Sequence, residues 1–385
     1  MTEFSRRTFL SGSVCAGCAF SIPSVLVSQA YGQETVAPGE PDDLFVHEAR
    51  YYEHLDDKKV ECHLCPKKCG VANQERGYCG VRENRDGTYY SLVYGRVCSM
   101  GRHDPIEKKP LFHYLPGTAA FSIATAGCNM ECKFCQNWNI SQFRPEQVQA
   151  VHLSPAMTAQ ASKNFGAPTI AYTYSEPVVF YEYMYDAAVE GRKLGIGSVM
   201  ITNGYIEEQP LRDLCKVLTG IKVDFKAFTE KFYRETCSGE LQPVLRTLKI
   251  LAELKIWFEL VVLIVPTLND GIEENKSMVK WIRENLGDSV PVHFTRYHPT
   301  YKIKNIPSTP IATLERLWNM ARDEGLKFAY LGNVTGHPGE DTYCPGCKEI
   351  LIKRTGYYIG YNKIEDGKCP KCSAPIPGVW KDPLT

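Results

Sequence analysis

Cys128, Cys132 and Cys135 are spaced four and three residues apart, directly after Gly127. Three thiolates at that spacing can hold three irons of a four-iron cluster. A cubane needs four ligands, and clusters that only carry electrons are usually closed by four cysteines. One iron is left open here, and an open iron is a place where another molecule binds. A structural zinc ion would want four closed ligands, and no neighbouring Cys or His in this loop supplies the fourth. Phe134, just before the last cysteine, would shield the site.

The chain has sixteen cysteines in 385 residues, and most fall in clusters. In a chain this large, close Cys-x2-Cys spacing favours metal over a disulfide framework. Cys344-Pro-Gly-Cys347 and Cys369-Pro-Lys-Cys372 have the spacing of a zinc ribbon around a strand-like Tyr357–Tyr361, with a rubredoxin-type iron site as the minor alternative. Cys62, Cys65, Cys69 and Cys79 suffice for a closed zinc site or a second iron–sulfur cluster. His63 competes as a ligand, and the sequence leaves the metal open. Cys215 and Cys237 read as buried core thiols, and Cys98 is undecided.

The elements that must position these groups follow from periodicity. From about Pro105 to Gly336, β-rich runs alternate with amphipathic segments of helical length. The runs begin at Ala120, Thr169, Ser198, Ile221, Trp257, Val292 and Ala329. The helical segments span 175–194, 208–218, 241–254, 272–285 and 311–324. Such alternation implies parallel pairing with right-handed crossovers. The expected fold is α/β, a full or partial (βα) barrel with its chemistry at the carboxyl ends of its strands. A doubly wound open sheet is the alternative. Those ends carry Ser175 and Glu176, Thr202 and Asn203, Asp224 and Lys226, and the stretch Val265–Asp270. His293, His298 and His337 are as well read as satisfied histidines as proton carriers.

On these residues the chain resembles the radical S-adenosylmethionine superfamily. The likeness rests on Cys-x3-Cys-x2-Cys in the first βα loop, with an aromatic residue before the last cysteine. The resemblance implies that Cys128, Cys132 and Cys135 bind a 4Fe-4S cluster whose open iron takes the amino and carboxylate groups of S-adenosylmethionine. Reductive cleavage then releases a 5′-deoxyadenosyl radical that abstracts hydrogen. Tyr174-Ser175-Glu176-Pro177 resembles the motif that receives the methionine amino group. Thr202-Asn203-Gly204 and the Asp224/Lys226 pair resemble strand-end motifs of the pyruvate formate-lyase activating enzyme group, and Val265 to Asp270 takes the place of the motif beside adenine.

Over longer stretches the chain is similar to the radical enzyme of the AmmeMemoRadiSam system, across about residues 57–380. The stretches are 104–117, 127–142, the N-terminal cysteine set with Gly77-Tyr-Cys79-Gly-Val-Arg82, and the C-terminal cysteine pairs. That resemblance implies Memo-like and AMMECR1-like partners and an electron donor, and it does not name a substrate. The rivals are a glycyl-radical enzyme activase, a multicluster iron–sulfur electron carrier and a zinc-ribbon interaction protein. Activases usually carry their added cysteines after the triad, whereas here they precede it.

The formal net charge is zero, which argues against a protein built to hold nucleic acid phosphates. Ser5-Arg6-Arg7-Thr8-Phe9-Leu10, a mildly apolar stretch and Ser28-Gln29-Ala30 describe a signal segment of twin-arginine type over 1–32. Export to the periplasm is expected, with the membrane met only in transit. The cytoplasm is the alternative, because S-adenosylmethionine and strong reductants are found there. A linker over 33–56, a Cys-rich module over 57–104, the barrel over 105–338 and the zinc-ribbon-like module over 339–385 complete the expected organisation.

Overall fold

The computed structural model describes residues 35–36 and 43–384. The expected leader, with Cys15 and Cys18, lies outside the described residues.

All seven β-rich runs form strands of one sheet. They are β2 (Ala119–Ala124), β3 (Thr169–Tyr172), β4 (Gly197–Thr202), β5 (Gly220–Asp224), β6 (Phe258–Ile264), β7 (Val292–Arg296) and β8 (Ala329–Gly332). They are joined by β1 (Ser99–Pro105), which sequence periodicity does not reveal. The eight strands lie in chain order from β8 to β1. β2 to β8 pair in parallel, and β1 pairs antiparallel with β2. A doubly wound sheet reverses its strand order at a switch point, and this sheet has none. The sheet is open, with β1 and β8 as its edges.

The strands are nearly continuous apolar runs because both faces of the sheet are covered. All of β3 is buried, and so are six of the seven residues of β6. Six helices return the chain between strands: α1 (Pro155–Asn164), α2 (Tyr181–Lys193), α3 (Glu208–Leu214), α4 (Leu241–Leu254), α5 (Ile272–Asn285) and α6 (Ile311–Asp323). In α4 the buried Leu241, Val244, Leu245, Leu248 and Leu251 recur at helical spacing and form the stripe that faces the sheet. α1 was not legible from periodicity, since it buries Thr158, Ala159, Ala161 and Ser162 rather than large apolar residues. Its start is fixed by Ser154, whose hydroxyl accepts the Met157 amide at 3.3 Å, and by Pro155 in the first turn.

Two three-stranded antiparallel sheets form the N-terminal module. In one, Arg82–Arg85 and Thr88–Ser91 make a hairpin, with Asp86 and Gly87 both at positive φ in the turn. His47–Glu48 and Tyr52–His54, within the expected linker, supply a strand to each small sheet. The buried Phe45 and Ala49 hold this segment down.

At the amino ends of the large sheet, residues 111–115 meet the end of the chain. Leu115 donates its amide to Val379 and Val379 donates to His113, each at 2.7 Å. Tyr114 packs so close to the sheet that its hydroxyl lies 2.6 Å from where a Cβ on Gly197 would stand, so that position admits only glycine. His293 lies near this end too, paired with the buried Glu259 at 2.8 Å, which supports its structural reading. Thr342–Tyr343, Ile350–Thr355 and Tyr358–Asn362 form a small antiparallel sheet. Its core combines Leu351, Ile352 and Ile376 with Phe112, Phe328 and Tyr330. No helix among the described residues is long and apolar enough to cross a membrane.

Candidate active site

The triad loop leaves the carboxyl end of β2 and is held at both flanks. Gly127 donates to Ile140 at 3.0 Å, with φ at 95°. A Cβ there would stand 2.5 Å from Val81 Cγ1 and 3.0 Å from the Cys79 carbonyl oxygen, so only glycine lets the loop lie against the N-terminal module. Met130 donates its amide to Cys128 Sγ at 3.4 Å, and Cys135 Sγ is 3.3 Å from the Ser141 hydroxyl. Cys132 is buried.

The strand-end residues gather around this loop. Glu176 is buried and takes hydrogen bonds from Thr202 Oγ1 at 2.6 Å, the Asn203 amide at 2.8 Å and the Val178 amide at 3.2 Å. Burial nevertheless raises its carboxyl from 4.5 to about 7, because these neutral donors only partly offset the loss of water. Asn203 reaches back to the triad loop, donating from Nδ2 to Asn129 Oδ1 at 2.8 Å, and Asn129 donates to the Tyr205 carbonyl at 2.8 Å. Ser175 donates to the Thr125 carbonyl at 2.7 Å, which pins the third strand end to the second.

Asp224 and Lys226 share one side of β5 and its exit, with Lys226 Nζ 3.7 Å from the Asp224 carboxylate. Lys222 also pairs with Asp224. Burial raises the Asp224 carboxyl, but the two ammonium groups outweigh it and leave it below its usual value. Lys226 Nζ is 5.7 Å from the centre of the Phe134 ring, which is buried beside Cys132. Asn269, in the expected Val265–Asp270 stretch, donates to the Lys226 and Leu263 carbonyls and so joins the ends of β5 and β6.

Three participants escaped the sequence reading. Cys237 is a buried thiol, as expected, but it stands beside Cys132 and holds the Cys132 thiol below its ordinary value. The backbone of 236–237 accepts amides from Lys133 and Glu131, so this turn clamps the triad loop. Asp104 and Lys109, an ion pair at 2.6 Å, hold the hydroxyl of Tyr174. Only their place inside the stretch 104–117 pointed to them. His298 contacts Ser308 at 3.0 Å and His337 pairs with Glu315 at 3.0 Å.

In the C-terminal module Cys344, Cys347, Cys369 and Cys372 have their sulfurs all within 4.8 Å of one another. Cys344 and Cys372 are 3.5 Å apart, and Cys347 and Cys369 are 3.7 Å apart. Cys62, Cys65, Cys69 and Cys79 lie together in the N-terminal module. The ring of His63 stands 3.5 Å from the carboxylates of Glu53 and Glu61.

Residues 122–282 match the Radical SAM superfamily. The chain is 46% identical over 336 residues to the uncharacterized protein MJ0808 of Methanocaldococcus jannaschii, covering 86% of this chain and 99% of that one. A second protein of the same organism, MJ0674, is 28% identical over 294 residues, covering 66% of this chain and 73% of its own. Among solved structures, a radical SAM methyltransferase from Sphaerobacter thermophilus aligns with a TM-score of 0.46 at 12% identity, over 83% of this chain and 85% of that one. The matched span opens just before the triad and contains Glu176, Asn203, Asp224 and Lys226. The chain belongs to one family with MJ0808 and carries a radical SAM superfamily domain over 122–282; it is a radical SAM enzyme, which implies S-adenosylmethionine and a 4Fe-4S cluster as its cofactors.

Proposed function

We propose that Cys128, Cys132 and Cys135 hold the catalytic cluster at the mouth of a partial (βα) barrel. Phe134, Ser175, Glu176, Thr202, Asn203, Asp224 and Lys226 would line the S-adenosylmethionine site. The observation that carries this reading is Glu176, a buried carboxylate beside the triad whose direct partners are all neutral donors and whose carboxyl is pushed up to about 7. Such a group gains most from a cationic partner, and an amino acid ammonium is one. Thr202 and Asn203 keep the carboxylate oriented. The turn at 236–237 and the Phe134 ring shield the triad from water. When bound, the cluster supplies the electron that cleaves S-adenosylmethionine, and the resulting 5′-deoxyadenosyl radical abstracts hydrogen from the substrate.

Memo-like and AMMECR1-like proteins are the proposed partners and export by the leader the proposed route. Zinc is the proposed metal at Cys344, Cys347, Cys369 and Cys372. Sulfur separations of 3.5 and 3.7 Å support a single tetrahedral ion there, since zinc–thiolate bonds in that geometry place sulfurs about 3.8 Å apart.

The test is anaerobic reconstitution with iron and sulfide, then dithionite and S-adenosylmethionine. 5′-Deoxyadenosine and methionine are expected from the native chain and not from Cys132→Ala. A protein that binds a triad cluster yet neither binds nor cleaves the cofactor would overturn the reading. N-terminal sequencing of the protein from fractionated cells tests export, and an intact Met1 in the cytoplasm would refute it.

A further inference from the structure

We infer that Cys62, Cys65, Cys69 and Cys79 hold a second iron–sulfur cluster, closed by four thiolates, that stands behind the triad and passes single electrons to it. The inference rests on the proposed assignment of the triad as the catalytic cluster site.

The chain provides its own standard for a one-ion thiolate site. The C-terminal sulfurs close to within 4.8 Å of one another, as a single tetrahedral ion requires. Among the described residues no three of the N-terminal sulfurs do so, and neither do the three of the triad. Thiolates that bind different corners of a cubane must stand further apart than thiolates that share one ion. By that measure the N-terminal set goes with the triad and not with the C-terminal set. His63, turned to Glu53 and Glu61, is not a fifth candidate.

Two further features fit an anionic cluster. Tyr78 donates its amide to Cys69 Sγ at 3.4 Å, the same contact that Met130 makes to Cys128. Amide donors to sulfur stabilise reduced clusters. Arg82 is 1% exposed, and beyond Glu182 its titratable neighbours are the thiols of Cys62 and Cys79 and the phenol of Tyr89. Its Nη2 donates to Glu182 at 2.5 Å and its Nε to the Val179 carbonyl at 3.3 Å, while its Nη1 is buried with no hydrogen-bond partner. A buried guanidinium nitrogen in that state is costly unless something negative faces it.

The placement supplies the role. Cys79 and Cys128 line one cleft of about 610 Å³, together with Tyr78 and Glu131. The Cys79 carbonyl oxygen lies 3.0 Å from where a Cβ on Gly127, the residue before Cys128, would stand. The module is fastened at this point, with Glu207 donating to the Leu64 carbonyl at 3.1 Å and Lys67 donating to the Ser238 carbonyl at 2.5 Å. Each transfer moves one electron: a low-potential one-electron donor reduces the second cluster, which is reoxidised as the catalytic cluster takes the same electron. No proton or group moves with it.

The experiment compares three anaerobically reconstituted proteins: the native chain, a variant with Cys128, Cys132 and Cys135 all changed to Ala, and Cys69→Ala. The native chain is expected to hold about eight irons and eight sulfides. The triad variant, with the N-terminal module untouched, should keep about half of each and a cluster signal in electron paramagnetic resonance after dithionite. Zinc alone, or no metal, in that variant overturns the proposal even if the native chain cleaves S-adenosylmethionine. A native chain that fails to cleave the cofactor while the triad variant keeps its cluster would refute the proposed activity instead. Cys69→Ala should retain the triad signal. In the reduced native protein the two signals should be broadened by mutual coupling, and a spectrum equal to the sum of the two single-cluster variants would overturn the relay.

Discussion

The hydroxyl of Tyr174 donates to the carboxylate of Asp104, so the edge strand β1 grips the loop that presents Ser175 and Glu176. Tyr174 has φ at 65°, an uncommon conformation for a bulky residue, and the distant bond helps to hold it there. Tyr174→Phe is expected to cost about 2 kcal/mol, the usual loss for a hydrogen bond to a charged group. It should raise the KM for S-adenosylmethionine more than it lowers kcat. Denaturant titration and steady-state cleavage measure the two effects, and a variant unchanged in both would show that the grip is incidental.

Glu176 gives a pH dependence whose sign is fixed. Its folded-state value of about 7 lies above the ordinary 4.5. Between those values the folded protein keeps a proton that the unfolded chain has released. The stability contributed is complete below about pH 4.5 and is lost as pH rises through about 7, a loss of about 3 kcal/mol. Glu176→Gln cannot titrate, so the metal-free variant should lack this slope. Urea unfolding of both proteins from pH 5 to 8 measures it, and parallel curves would refute the assignment.

Gly127→Ala places a methyl group against Val81 and the Cys79 carbonyl at a backbone angle that alanine avoids. A cost of about 3 kcal/mol is expected from strain and clash together. The triad loop should lose its seat, so iron bound at Cys128, Cys132 and Cys135 should fall. Thermal unfolding and iron analysis check this, and full iron loading at native stability would count against the close approach.

Cys344→Ser should remove the metal bound in the C-terminal module and lower the melting temperature. The reason is that the core of that module includes Phe112, Phe328 and Tyr330 from the main domain. Metal analysis should show one zinc lost with the triad cluster retained. Iron lost in its place would favour the rubredoxin-type site.

How much of this was legible from the residues divides along physical lines. Strands such as Phe258–Ile264 and helices such as Leu241–Leu254 announce themselves by long apolar patterns, and they fall where periodicity puts them. α1 buries small residues and carries no apolar stripe, so its pattern is silent. β1 reads Ser-Met-Gly-Arg-His-Asp-Pro and has little strand preference of its own, and pairing with β2 creates it. In the site, the strand-end motifs were visible because they are local. Cys237 lies beside Cys132 across more than a hundred residues of chain, and no spacing rule reaches that far. The N-terminal cysteines could be grouped from the sequence, but their separation could only be seen in three dimensions.

The seal at the amino ends of the sheet has a consequence for how the protein is made. Leu115 and His113 are bonded to Val379, and His113 also donates from Nδ1 to the Pro377 carbonyl at 2.7 Å and shares a hydrogen bond between Nε2 and the Tyr330 hydroxyl at 2.5 Å. Pro377 and Val379 lie more than 260 residues along the chain from His113 and Leu115. During synthesis the floor of the domain therefore stays open until residues 377–379 have left the ribosome. A nascent chain has all of its catalytic strands before it has a closed base, and truncation before residue 376 should leave that base permanently exposed to water.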